Sequence, residues 1–303
     1  MKDWRTTMTT EIPAFSKFAN SRIFSQLADI REFALIAETP PIGILGDDHF
    51  SRVVINRIYE NLRDVIQAAG FYFEDELKAS RSVDRFSVSY EDDRFGFAVV
   101  CTEKSIIIQR SGSRFNNFHD WYRAFMPSAQ GVLTKVSTIL TEELHRKIDV
   151  LRASYQFDFI IHDMYLESTD QKVRNSEIMR KLLKGFPDEQ GSITDSPDIT
   201  DSLGRMDVNL NRWIGSEGNR RRLMYNVQAP GNMNYSSLWF TFAFMGESFT
   251  DPETNTREAF NSSAFLSEYD AAYSSFLRDS AINSFLEWLM RGYRFKSTAA
   301  GLP

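Results

Sequence analysis

Cysteine is almost missing from this chain. Cys101 is the single thiol in 303 residues, which excludes an intrachain disulfide and any all-cysteine metal site. It lies in the apolar run from Phe95 to Cys101, where a thiol is expected to be buried and inert. Histidine is scarce too. His49, His119, His145 and His162 are widely separated, and there is no His-Glu-x-x-His. The glycines form neither a Walker-type loop nor Gly-x-Gly-x-x-Gly, so the common phosphate cradles are missing. Without a Gly-x-Ser-x-Gly elbow or an activating group beside Cys101, nucleophilic catalysis has no support. No apolar run approaches the roughly 20 residues that span a bilayer. The opening residues, MKDWRTTMTTEIPAF, contain no apolar signal core. A cytoplasmic location without membrane attachment is the resulting expectation. Basic excess is lacking as well: the net charge of −6 disfavours bulk attraction to nucleic acid, while leaving room for a local basic patch.

What the chain does have is aromatic bulk. Twenty-five Phe within 42% hydrophobic residues suit broad sheet faces covered by helices. The length allows one large domain or two smaller ones, at roughly 100–200 residues each.

Residues 1–40 read as N-terminal docking helices or an arm. Phe15, Phe18, Ile23, Phe24, Leu27, Ile30 and Phe33 recur at helical spacing. The alternative is a tail that folds only against a partner. After Pro40-Pro41, Ile42–His49 is expected to form a short strand. Ser51 then caps a helix with an apolar stripe from Ile55 to Ala69. Arg85–Phe125 carries the clearest pattern. Phe86, Val88 and Tyr90 alternate, then Phe95, Phe97, Val99 and Cys101, then Ser105–Arg110. These are three antiparallel strands. They feed a helix in which Trp121, Phe125, Val132, Val136 and Ile139 share a face and Pro127 is a candidate kink.

Strand character returns from Ile148 to Met164. Asn175 or Ser176 is expected to cap a helix ending near Gly185. Arg205–Trp213, Arg221–Gln228 and Leu238–Met245 read as three more strands, with a Gly215–Asn219 hairpin turn between the first two. A last helix is expected from about Ser263 to Arg291. Both halves, 41–147 and 148–303, thus have one order: strand, helix, three strands, long helix. The expected class is α+β, with antiparallel sheet built from two pseudo-repeated halves and helices packed on one face.

Several short pieces resemble a sporadically distributed bacterial family of uncharacterised proteins. They are Pro40–Phe50, the strand pair ending at Arg114-Phe115, the Trp121-to-Phe125 spacing, Arg152–Phe159, and the C-terminal helix with Tyr269, Ala272 and Phe276. Where that family tends to show Arg, Gly and Tyr, this chain has Arg152-Ala153-Ser154-Tyr155. The resemblance implies an accessory gene, in a setting such as defence against phage. It implies no catalytic residues, because the family has no established activity.

Two clusters could carry chemistry. Asp47, Asp48 and His49 hold metal-ligating groups, and His162 and Asp163 could add more from a second strand end. The bland alternative is a polar turn with an Asp capping the next helix. Arg220, Arg221 and Arg222 follow the glycine-containing turn, with Arg205 and Arg212 on the preceding strand and Trp213 and Tyr225 as stacking candidates. Such an aromatic-basic sheet face could bind single-stranded nucleic acid. Adjacent arginines on a strand point to alternate faces, however, and charge on an edge strand commonly serves to block aggregation. His119-Asp120 is better explained as a helix start than as a general base.

The sequence therefore favours a non-enzymatic binding or assembly protein that engages another protein or a second copy of itself, with no cofactor. The alternatives are a nucleic-acid-binding sheet and a metal-dependent enzyme.

Overall fold

The computed structural model describes residues 28–43, 52–61, 78–82, 85–91, 95–112, 118–162, 164–166, 168–169, 171–184, 205–217, 219–230, 237–278, 288–289 and 293–295. Its centre is a nine-stranded antiparallel sheet. In chain order the strands are β1 (Ala28–Glu38), β2 (Lys78–Arg81), β3 (Arg85–Glu91), β4 (Phe95–Thr102), β5 (Ser105–Gly112), β6 (Arg152–His162), β8 (Arg205–Ile214), β9 (Arg221–Pro230) and β10 (Ser237–Glu247). In space they run β2-β3-β4-β5-β1-β6-β10-β9-β8. Early and late strands therefore occupy opposite sides, and β1 and β6 meet at the junction. Two small ribbons complete the strand set. One pairs β7 (Met164–Leu166) with β13 (Tyr293–Phe295). The other pairs β11 (Phe249–Thr250) with β12 (Arg257–Glu258).

The described helices are α1 (52–61), α2 (Phe118–Leu144), α3 (Asn175–Lys184), α4 (Ser262–Leu266) and α5 (Tyr269–Arg278). Where their contacts are defined, they fall on one face of the sheet. Strand alternation sorts the apolar side chains to that face. One row across the register reads Val88, Val99, Ile108, Leu35, Tyr155, Phe244 and Leu223, all buried. Val54 and Ile58 of α1, Phe125, Val132 and Val136 of α2, and Ile178 and Leu182 of α3 close over the same core. Rings pack edge-on between Phe33 and Phe157 (5.6 Å), and stack between Phe157 and Phe242 (5.2 Å). Such contacts add about 0.5–1.5 kcal/mol each beyond area burial. Cys101 is fully buried, and desolvation pushes its thiol pKa up. Arg110 lies in the same layer between Phe97 and Phe33, and burial lowers its guanidinium to about 9.

Three sequence expectations change. The helical spacing of Ile30 and Phe33 belongs to a strand, β1. Register partners explain the mimicry: Ile30 lies opposite Phe159 and Phe33 opposite Phe157, because β1 has one extra residue between Ile30 and Glu32. That bulge turns a step of three into a step of two. The rest of the proposed arm lies outside the described residues. Of the strand expected over Ile42–His49, Ile42 and Gly43 are irregular and residues 44–49 lie outside the described residues. Glu103 claims both of their N–H groups, through its carbonyl (2.7 Å) and its Oε1 (2.8 Å). Finally, the long C-terminal helix is broken between Leu266 and Tyr269 into α4 and α5, while of residues 279–291 only Trp288 and Leu289, both helical, are described. The Leu266 carbonyl accepts from the Tyr155 hydroxyl (2.6 Å) and from Gln130 Nε2, instead of continuing the helical ladder.

Other expectations stand. Strands β3, β4 and β5 feed α2, which runs through Pro127. Gly215 turns β8 into β9 at φ +92°, and a Cβ there would lie 2.3 Å from the Asn219 carbonyl oxygen. The helix expected near Asn175 is α3, and the side chains of Asn175 and Ser176 lie outside the described residues. The Arg174 N–H donates to Glu177 Oε2 (2.9 Å), half of a capping box.

The missing side chain of Gly246 makes room on β10 for the Phe260 and Phe265 rings. A Cβ on Gly246 would lie 2.5 Å from both rings. Gly246→Ala is expected to lower unfolding stability by roughly 1–3 kcal/mol through overpacking. A shift in the urea midpoint at unchanged slope would show it, and an unshifted midpoint would show that the rings yield.

Candidate functional site

The end of the sheet formed by β8, β9 and β10 gathers most of the sequence-derived candidates. Arg220, Arg221 and Arg222 enter β9 as consecutive residues, so the pleat sends Arg221 to the helix face and Arg222 to the other. Each has a carboxylate partner. Arg220 lies 3.4 Å from Asp251 and 4.0 Å above the Phe249 ring. Arg221 is 8% exposed and grips Glu268 with two nitrogens, Nε to Oε2 at 2.7 Å. Its guanidinium also lies 5.4 Å from the Phe265 ring centre. Arg222 Nε is 3.1 Å from Glu247 Oε1.

The Arg222–Glu247 pair extends across the sheet on the face away from the helices. Arg152 Nη1 is 3.4 Å from Glu247, and Arg152 Nη2 donates to Glu38. The register places Glu38, Arg152 and Glu247 side by side on β1, β6 and β10. The hydrogen bond that Arg152 donates to Glu38 is the main cause of a raised Arg152 pKa. Charge therefore alternates along the row, Glu38–Arg152–Glu247–Arg222, with no surplus of one sign.

Trp213 lies at the β8 end of this region. It is 40% exposed, one of two large apolar side chains so exposed among the described residues, and meets the Phe249 ring edge-on at 4.7 Å. Below it the same face carries side-chain amides. Gln228 Nε2 donates to Asn226 Oδ1, Asn226 Nδ2 donates to Asn209 Oδ1 (2.6 Å), and Gln156 Nε2 donates to Asp158 (3.1 Å). A cavity of about 190 Å³ opens beside Arg220, Arg221, Glu247, Glu258, Phe260 and Glu268. Its mixed charges suit a polar, near-neutral contact better than an anion.

The remaining candidates separate. Tyr225 is buried, its ring 4.9 Å from Phe242, so no base could reach it without opening the core. Arg212 is exposed in register with Leu223, on the helix face, away from Arg222. Arg205 begins β8 opposite Pro230. His162 ends β6 opposite Ser237. Asp47, Asp48, His49 and Asp163 lie outside the described residues. Among the described residues no three His, Cys, Asp or Glu side chains group as metal ligands, and no helix is long and apolar enough to cross a membrane.

Sequence reasoning missed the acidic partners. Glu268 is 47 residues from Arg221 and Asp251 is 31 from Arg220, and no local pattern links them. The amide chain had a readable signal, because Asn209 and Asn211 on β8 and Asn226 and Gln228 on β9 recur every second residue.

Two outcomes test this geometry. Glu268→Gln leaves a buried guanidinium without its counter-charge, and is expected to cost roughly 3 kcal/mol in chemical denaturation. Lys147→Ala, which removes an exposed pair with Asp149, is expected to change stability by under about 0.5 kcal/mol. Equal effects would show that the Arg221 pair is not effectively buried. The Asp251 carboxyl is held below its usual range, mainly by the N–H groups of Glu253 and Thr254, with Arg220 adding to the effect. A depressed folded-state pKa stabilises above the unfolded value and loses that stabilisation as pH falls through the folded value. Thermal melts below about pH 4 are expected to fall more steeply for the native chain than for Asp251→Asn. Parallel curves would remove Asp251 from the acid response.

No protein-family model, no curated protein and no solved structure matches this chain.

Proposed function

We propose that this chain is a non-enzymatic cytoplasmic binding or assembly protein that acts through protein–protein contact, with the β8 end of the sheet as its working surface. One observation carries the reading: Trp213 stands exposed at the end of an edge strand, beside a face of neutral amides and balanced charge. Exposed tryptophan is a preferred anchor of protein interfaces. Side-chain amides supply adaptable hydrogen bonds without a fixed charge requirement. The pairing of Arg220, Arg221 and Arg222 with carboxylates, together with the burial of Tyr225, weighs against the nucleic-acid alternative. Nothing among the described residues favours the metal-enzyme alternative.

Two pseudo-repeated halves are part of the same reading. The support is topological: β3-β4-β5-β1 and β8-β9-β10-β6 run inward in matching order to the β1–β6 pair, and α1 and α3 follow the respective first strands. An accessory or anti-phage defence setting in a bacterium completes the proposal. It rests on the family resemblance from Pro40 to Trp288.

The test is native mass and composition of the tagged chain recovered from its own cells, beside Trp213→Ala. A defined partner or self-assembly is expected for the native chain and at least a tenfold loss for the variant. A native chain that stays single would sink the reading. Oligonucleotide binding that falls steeply with salt and disappears on changing Arg220–Arg222 would replace it with the alternative.

A further inference from the structure

We infer that the outer side of β8 is a self-association edge, on which the β8 strand of a second copy pairs antiparallel and joins two nine-stranded sheets into one. The inference deepens the proposed protein–protein function and rests on it, with the second copy as the partner.

The two borders of the sheet differ in kind. Among the described residues β2 and β8 are each paired on one side. Strand β2 has four residues and carries Lys78 and Arg81. Short length and charge are the usual means of keeping an edge from pairing. Strand β8 has ten residues in unbroken register with β9, with no proline, lysine or bulge, and its charged residues Arg205, Asp207 and Arg212 are of both signs, so they do not bar a second copy by themselves. Asp207, Asn209, Asn211, Arg212 and Trp213 on it are exposed. A long, regular, accessible edge is a template for another strand.

The strand is also complementary to itself. In an antiparallel pair, opposite residues lie on the same sheet face, so a two-fold axis must pass beside one residue. Centred on Asn209, the pairing sets Asn209 against its own copy and Val208 against Leu210. Asp207 then meets Asn211, Met206 meets Arg212, and Arg205 meets Trp213. Like charges never face one another. The helix faces of both copies stay on the same side of the joined sheet. Because β2 is blunted, such pairing closes at two copies instead of continuing into a fibre.

The test is sedimentation of the purified full chain over a wide concentration range, with two single-cysteine changes at β8. The native chain is expected to move toward twice 35.0 kDa. Asn209→Lys sets like charges face to face at the axis and is expected to weaken association at least tenfold. Circular dichroism and the unfolding midpoint check its fold. Asn209→Cys is expected to form a covalent dimer on mild oxidation, because the buried Cys101 does not compete. Asn211→Cys, which faces Asp207, is expected to link far less. A single-mass native chain overturns the inference, as does a dimer indifferent to Asn209→Lys, or equal cross-linking at both cysteine positions. If Asn209→Lys does not fold, the cysteine comparison decides. A native chain that is single when pure but recovers a different protein through Trp213 overturns the self-pairing alone.

Discussion

Strand β1 is hydrogen-bonded on both sides, to β5 and to β6, and every other strand of the large sheet takes its position from that double pairing. Backbone groups buried in a sheet centre must be satisfied by neighbours, since leaving one unpaired costs as much as a lost hydrogen bond. A strand with two partners meets that demand, and it also sets the register of both. From it the rows extend outward through β5, β4 and β3 on one side and through β6, β10 and β9 on the other. The bulge between Ile30 and Glu32 is tolerated there because the pairing resumes on either side of it.

The second constraint lies where the helix layer meets the sheet. Tyr155 is fully buried and stacks at 5.2 Å on Phe265, while its hydroxyl needs a partner in that dry setting. It finds the Leu266 carbonyl, and the helix stops there. The break places Glu268 under Arg221, so a core tyrosine indirectly neutralises an arginine on the far strand. What remains for contact at that corner is Trp213, the amides of β8 and β9, and a charge-balanced row. The surface that looked basic in sequence is electrically quiet in space.

Parts of this were legible early. The alternation of Phe86, Val88, Phe97, Val99 and Cys101 announced strands because one sheet face is apolar. The three arginines could be assigned to alternate faces for the same reason. Ile30 and Phe33 misled, because a bulge gives a strand the spacing of a helix. Strand β2, β11 and β12 had no signal: Lys78–Arg81 is wholly exposed, so no apolar period marks it. Partners such as Glu247, Asp251 and Glu268 were invisible, since ion pairing across tens of residues leaves no local trace.

The sequence by itself determined the α+β class, the strand positions with a one-sided apolar period, the burial of Cys101 and the tight turn at Gly215. Each of these depends on a residue and its near neighbours alone. Tertiary structure decided the order of strands, the middle position of β1, the break between Leu266 and Tyr269, and which carboxylates neutralise Arg220, Arg221 and Arg222. Those outcomes depend on which distant groups share a buried layer. Only the folded chain settles that, because each buried polar group takes whichever partner the packing brings within hydrogen-bond reach.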